Sequence, residues 1–197
     1  MPTDRWLLTD YGGVLALHQS ESDSRGLAAI AGMDWPEFHE RYWRHRLEYD
    51  RGDLSPREYW DLVTDAPLPE PALDSIMAAD IAGWIKPNRE VLEIYRAASS
   101  EWRFAMLSNA PQPLARAICS LEWLPAIEPM IFSCDLRLTK PDPEIYQRAA
   151  DLIGADPSRI LLVDDRSENI EAARLFGMAG ALYTDAEQLR SDLAGFA

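Results

Sequence analysis

At 197 residues the chain is long enough for one well-buried α/β core with a smaller appendage and too short for two full-sized domains, because the buried share of surface rises with length. Its 33 Asp and Glu against 19 Lys and Arg, a formal charge of −14, repel nucleic acid and anionic membranes, which are bound through Lys and Arg; an anionic small molecule is still admissible where a metal ion and a local cation reverse the field. Only Cys119 and Cys134 occur, in no metal-ligand spacing, and no signal peptide or long apolar run is present, so the expectation is a reducing, cytoplasmic setting with both thiols free and buried.

The segment WLLT (6–9) is a short apolar run that stops at Asp10 and Tyr11-Gly12-Gly13, the pattern of a buried strand ending in a tight turn. From about Ser20 to Trp84 the periodicity is helical. EFHERYWRHRLEY carries an aromatic and aliphatic stripe, SPREYWDLV opens with Ser55 as N-cap and Pro56 in the first turn, and PALDSIMAADI follows. After Lys86-Pro87 helix and strand alternate. VLEIYRAA predicts a helix, FAML (104–107) a strand, PLARAI a helix, PMIF (129–132) a strand and EIYQRAADLIG a helix. ILLV (160–163) then predicts a strand, ENIEAARLFG a helix closed by Gly177, and GALY a last strand before EQLRSDL.

Repeated strand-then-helix units predict an α/β fold with a doubly wound, Rossmann-like parallel sheet. The helices interposed after the first strand predict a small cap domain. The expected division is residues 1–17 and 86–197 for the core and 18–85 for the cap, joined by linkers near 16–20 and 84–87 that let the cap open and close over a site.

A polar residue follows several of these strands: Asp10, then Ser108-Asn109, then Asp164-Asp165. In an open parallel sheet the carboxyl ends of the strands form one ligand-binding crevice, and Lys140, ahead of the helix started by Pro141-Asp142-Pro143, can point the same way. Carboxylates for a hard divalent cation, with a hydroxyl and an ammonium for an anion, match Mg²⁺ and a phosphate. Any one of these residues alone is more often a turn former or N-cap; their convergence carries the reading.

Four segments, in order, resemble the motifs of the haloacid dehalogenase-like (HAD) superfamily over nearly the whole chain: LLTDYGGVLAL, AMLSNA, LTKPDPEIYQRAA and LLVDDRSENIEAARLFGM. The resemblance implies that Asp10 is the nucleophile and forms a covalent aspartyl intermediate. It implies Mg²⁺ held by Asp10, the Gly12 carbonyl and Asp165, with Asp164 and Asn169 supporting them from behind or through water. Ser108 and the backbone near Asn109 would bind the phosphoryl oxygens, and Lys140 would neutralise charge on Asp10 and the transferring group.

One position departs from the pattern. Many family phosphatases carry a second Asp two residues after the nucleophile as general acid and base, and here that residue is Gly12. General acid-base help is typically worth about 10² to 10⁴ in rate, so slow turnover of simple alkyl phosphates is expected unless the leaving group is good or a donor comes from elsewhere; His18 and Tyr11 are the candidates, with Tyr11, as the neighbour of Asp10, expected to face the opposite side of the strand end. The dehalogenase branch resembles D-x-Y-G-T with a serine-rich fourth motif, which this chain lacks. In the cap, His39, Arg41, Arg44, His45 and Arg46 read as a solvated helix face balanced by Glu37, Glu40 and Glu48. Phe38, Tyr42, Trp43, Tyr49, Tyr59 and Trp60 read mainly as cap core, with one or two lining the pocket.

The expected function is therefore Mg²⁺-dependent hydrolysis of a small phosphorylated metabolite, with no nucleic-acid or membrane partner and with homo-oligomerisation left open. Three rivals stand beside it: another HAD activity (dehalogenase or phosphotransferase), a catalytically weak phosphate-binding or regulatory protein, and an interaction module using the aromatic cap.

Overall fold

A computed structural model describes residues 4–196. Strand β1 (Trp6–Thr9) is followed by five helices: α1 (Glu21–Ala31), α2 (Trp35–Arg44), α3 (Arg46–Arg51), α4 (Pro56–Thr64) and α5 (Glu70–Trp84). Then come α6 (Arg89–Ala98), β2 (Arg103–Ser108), α7 (Gln112–Cys119), β3 (Met130–Phe132), a short α8 (Ser133–Leu136) and α9 (Pro143–Ile153). The chain ends with β4 (Ile160–Asp164), α10 (Ser167–Phe176), β5 (Ala179–Leu182) and α11 (Ala186–Gly195). Among the described residues no helix is long and apolar enough to cross a membrane.

The sheet is parallel throughout, in the order β3-β2-β1-β4-β5. The chain winds outward from β1 to β3 and then restarts on the other side with β4, so β1 and β4 flank the point where the winding reverses, the place where such sheets bind ligands. Because both faces are covered, the strands are apolar at nearly every position rather than at alternate ones. Leu7, Phe104, Met106, Leu161 and Val163 pack against α6, α7 and α11, which contribute Tyr95, Leu114 and Leu189. The intervening Leu8, Ala105, Leu107, Ile160 and Leu162 pack on the other face with Ile145 and Tyr146 of α9 and Ile170 of α10.

Helices α1–α5 enclose a core of their own built on Leu27, Phe38, Tyr42, Tyr49, Tyr59, Trp60 and Ile76. Ser55 and Glu58 form a reciprocal capping box at the start of α4, which satisfies backbone donors that the first turn leaves open. The chain enters and leaves this helical layer along two adjacent segments: Leu17 N donates to Lys86 O at 2.8 Å and Asn88 N to Leu15 O at 2.9 Å. A second junction lies at α3. The Ser133 hydroxyl donates to Asp50 O at 2.5 Å and accepts from Ala110 N at 2.9 Å. Gly52 lies so close to α8 that a Cβ there would stand 3.1 Å from Cys134 O.

Three expectations need correction. The stretch read as one helix over EFHERYWRHRLEY is two, because His45 (φ −116°, ψ 15°) leaves the helical region between α2 and α3. The single turn α8 was not anticipated from its sequence. Both thiols are free, but Cys119, at the end of α7, is exposed and Cys134 only half-buried.

Candidate active site

Asp10 is the first residue beyond β1, and its amide is tied to the neighbouring strand by a 2.8 Å bond to Val163 O. Its carbonyl accepts from the Thr9 hydroxyl at 2.9 Å, and Thr9 in turn accepts from Tyr95 OH at 2.9 Å, so a buried chain of hydrogen bonds fixes the backbone. Oδ1 of Asp10 accepts from Tyr11 N at 2.6 Å and lies 2.9 Å from Lys140 Nζ. No protein hydrogen bond among the described residues goes to Oδ2. That oxygen is the one left for a ligand.

Lys140 is clamped from several directions. The Asn109 side chain accepts from its amide at 2.9 Å and donates to its carbonyl at 3.0 Å, a two-point grip from the end of β2. The ammonium, 1 % exposed, also bonds Asp164 Oδ2 at 2.6 Å. Asp164 Oδ1 accepts from Arg166 N at 3.0 Å and Asn169 Nδ2 at 2.8 Å, and Tyr146 OH donates to Asn169 O. Both oxygens of Asp164 are therefore committed to the protein. Burial works against the Lys140 charge, but Asp10 and Asp164 outweigh it and raise its pKa, so the ammonium stays protonated. Burial likewise pushes the Asp10 carboxyl up to about 7, against the pull of Lys140 and aided by Asp164 and Asp165.

Carboxylate oxygens of Asp10, Asp164 and Asp165 lie within 4.8 Å of one another. Three acids, two of them buried and the third partly so, are unbalanced against one ammonium, and a hard divalent cation among oxygen donors balances them. Asp10 and Asp165 both line the cavity, so they, rather than the fully engaged Asp164, are the side chains with oxygens to give.

The cavity measures about 400 Å³ and lies between the strand ends and the helical layer. Asp10, Gly12, Ser108, Asn109, Lys140, Asp165 and Asn169 all line it; Asp164 sits directly behind, fully buried. Of the two proton-donor candidates, His18 faces the cavity, with Nε2 2.9 Å from Asp165 Oδ2, and that hydrogen bond raises its pKa. Tyr11 also borders the cavity, but its ring is buried and stacked on Trp123, and its hydroxyl has no hydrogen-bond partner among the described residues.

The backbone after Asp10 turns through Gly13 at φ +80°. A Cβ there would overlap Asp165 Oδ2 and stand 2.7 Å from His18 Nε2. Gly13→Ala is therefore expected to cost about 1–3 kcal/mol through left-handed backbone strain and to push Asp165 away from Asp10. A urea melt combined with a Mg²⁺ titration checks both effects; unchanged stability and metal affinity would remove the steric role assigned to this glycine.

The helical side of the cavity was misjudged from sequence at one residue. Arg41 and Arg44 do pair with Glu37 and Glu40 on the outer face, but Arg46 is buried and lines the pocket with Asp50. Trp43 is 47 % exposed and faces the cavity together with Trp84 and Leu47, while Phe38, Tyr42, Tyr49, Tyr59 and Trp60 form the helical core. The available signal was the i, i+4 spacing of Arg46 and Asp50; Trp84 gave none beyond its place at the linker.

A family model described as haloacid dehalogenase-like hydrolase matches residues 14–177. The chain is 28 % identical over 184 residues to (S)-2-haloacid dehalogenase 4A of Burkholderia cepacia, covering 85 % of this chain and 77 % of that protein. It is 25 % identical over 141 residues to the sesquiterpene phosphatase astK of Aspergillus oryzae, covering 70 % and 71 %. Over shorter stretches of 87 and 62 residues it matches two larger curated proteins, of whose lengths it spans 16 % and 25 %. The solved magnesium complex of a HAD family enzyme from Bacteroides thetaiotaomicron superposes with a TM-score of 0.78 at 20 % identity, covering 99 % of this chain and 100 % of that one. With a matching fold, and an aspartate at the end of β1 facing a lysine and two further acids, the family match over residues 14–177 makes this chain a member of the haloacid dehalogenase-like hydrolases.

Proposed function

We propose that the protein is a Mg²⁺-dependent phosphatase acting on a small phosphorylated metabolite, and that residues 18–85 act as a cap over the reaction. The observation that carries the reading is the buried Asp10–Lys140 pair at 2.9 Å, with the carboxylates of Asp164 and Asp165 beside it, in a cavity between the strand ends and the helical layer. Oδ2 of Asp10 attacks phosphorus while the bond from phosphorus to the alcohol oxygen breaks; that oxygen leaves with the electron pair and takes up a proton. Water then attacks phosphorus and gives up a proton as the bond from phosphorus to Oδ2 breaks, which releases inorganic phosphate and regenerates the carboxylate. Lys140 offsets the charge gathering on the phosphoryl oxygens, and the Ser108 hydroxyl donates to one of them. Asp10, Asp165 and the Gly12 carbonyl would hold the Mg²⁺ ion, whose charge offsets the phosphate dianion against the acids around it.

The haloacid dehalogenase relative raises carbon–halogen cleavage as the alternative. Displacing a monoanionic halide needs no divalent charge, whereas the surplus of carboxylates around Asp10 calls for one. Phosphate release from a panel of phosphomonoesters, with and without chelator, alongside halide release from 2-haloacids, separates the two. Chelator-sensitive phosphate release is the expected result, and halide release without phosphate release overturns the proposal.

Gly12 supplies no proton to the departing alcohol, and His18 or water does so instead. A Cβ at Gly12 would meet only the Trp84 ring, at 3.4 Å, and its backbone lies outside the left-handed region, so neither backbone strain nor a Cβ clash opposes Gly12→Asp. The variant is expected to speed hydrolysis of alkyl phosphates by about tenfold or more while changing p-nitrophenyl phosphate, whose leaving group needs no proton, far less. Equal changes for both would show that proton supply is not what Gly12 withholds.

A further inference from the structure

The two ends of the cavity differ in their supply of charge. At the helical end Arg46, 5 % exposed, donates from Nε to Asp50 Oδ1 at 2.8 Å and from Nη1 to Tyr42 OH, and Nη1 lies 3.6 Å from Asp80 Oδ2. Asp80 Oδ1 is held in turn by Tyr42 OH at 2.7 Å and Gln19 Nε2 at 3.1 Å. One guanidinium thus faces two carboxylates. Burial opposes the charge on Arg46, but Asp50 and Asp80 outweigh it and keep it protonated. Burial pushes Asp50 up to about 6 despite Arg46, so above neutral pH this end carries no net positive charge.

The other cations of the cavity are also engaged. Lys140 is taken by Asp10 and Asp164, His18 is paired with Asp165 at 2.9 Å, and Arg166, at the rim, is paired with Glu168 at 2.5 Å and 63 % exposed to solvent. The remaining wall beside Asp50 is apolar: Trp43 and Trp84, packed edge to face at 6.3 Å, with Leu47. Asp50 Oδ2 has no hydrogen-bond partner among the described residues, so the carboxylate keeps one acceptor for a ligand.

We infer that the substrate is the phosphate monoester of an uncharged alcohol, one with no second anionic group, whose body lies against Trp43 and Trp84 and donates a hydroxyl to Asp50. The inference rests on the phosphatase reading of the same site. A second carboxylate or phosphate on the substrate would meet the like charge of Asp50 and a guanidinium already neutralised by Asp50 and, behind it, Asp80, a juxtaposition that disfavours binding. A hydroxylated carbon skeleton meets an acceptor and an aromatic face instead.

The test uses probes that differ at one group: glucose 1-phosphate against glucuronic acid 1-phosphate, and glycerol 3-phosphate against 3-phosphoglycerate, with n-hexyl phosphate to separate a polyol body from a hydrocarbon one. Binding is measured calorimetrically on the parent protein with Ca²⁺ in place of Mg²⁺, a hard cation that takes the same oxygen donors, and phosphate release on the parent with Mg²⁺. The neutral member of each pair is expected to bind at least about tenfold more tightly, and Asp50→Asn, which frees one side of Arg46, to narrow that gap. Asp80→Asn serves the same purpose if the Asp50 variant does not fold. Hexyl phosphate bound as tightly as glucose 1-phosphate removes the hydroxyl contact to Asp50 from the inference.

Equal or tighter binding of the anionic members by the folded protein overturns the inference, as does failure of every member to bind. Phosphate release from both members with equal efficiency overturns it while leaving the phosphatase reading intact. No release from any member, with the binding preference present, overturns the phosphatase reading and leaves the charge selection of the cavity standing.

Discussion

Asp10→Asn is expected to lower kcat by roughly 10³-fold or more, as loss of a covalent nucleophile does, without loss of folded stability. The two outcomes separate because the carboxylate is more useful to the reaction than to the fold. An amide oxygen at the Oδ1 position still accepts from Tyr11 N and Lys140, and the new NH₂ group takes the place of Oδ2, which accepts no hydrogen bond from the described residues. The substitution also removes one of three like charges gathered around a single ammonium, a cluster in which burial already pushes Asp10 up to about 7, so the melting temperature should hold or rise. Phosphate release and a circular dichroism melt on the same preparation, with mass spectrometry to exclude deamidation back to Asp, make the check. A folded Asp10→Asn protein that turns over near the parent rate would sink the proposed mechanism.

Most of the architecture was readable because the chain states its periodicities openly. WLLT and ILLV are uninterrupted apolar runs ending in acids, and a strand buried on both faces has no other way to look. The fusion of Asp10, Ser108, Lys140 and Asp165 into one cavity followed from the rule that strand carboxyl ends share an edge, which needs no knowledge of strand order. What the sequence concealed were features decided by partners distant along the chain. Arg46 resembles Arg41 and Arg44 in its neighbourhood, yet α2 stops at His45 and the new helix axis turns Arg46 inward, where Asp80, 34 residues later, meets it at 3.6 Å. The Asn109 grip on the Lys140 peptide spans 31 residues, and a turn-forming Asn after a strand gives no hint of it. Tyr11, by contrast, is expected as Asp10's neighbour to face the other side of the strand end, and its ring does pack into the sheet's apolar core while bordering the cavity.

Lys140→Met is expected to destabilise the protein by about 3–5 kcal/mol, the usual cost of stripping one partner from a buried ion pair, and to abolish turnover as well. The side chain is 1 % exposed and stands between Asp10 Oδ1 at 2.9 Å and Asp164 Oδ2 at 2.6 Å, so its removal leaves two carboxylates facing each other across an apolar thioether chain. Loss of a buried methylene stem is not at issue, since Met has nearly the same length and packs in the same channel. The penalty is electrostatic, and it can be isolated. Asp164→Asn keeps an acceptor for Arg166 N and Asn169 and removes one of the stranded charges, so Lys140→Met should cost less in the Asp164→Asn background than in the parent. A double-mutant cycle by urea unfolding measures the difference, and a coupling of about 1–3 kcal/mol is expected for groups in direct contact within one network. Independent, additive costs would mean that Lys140 is held by packing and by the Asn109 clamp on its peptide rather than by the acids. The ammonium would then lose its assigned part in holding Asp10 ready for attack.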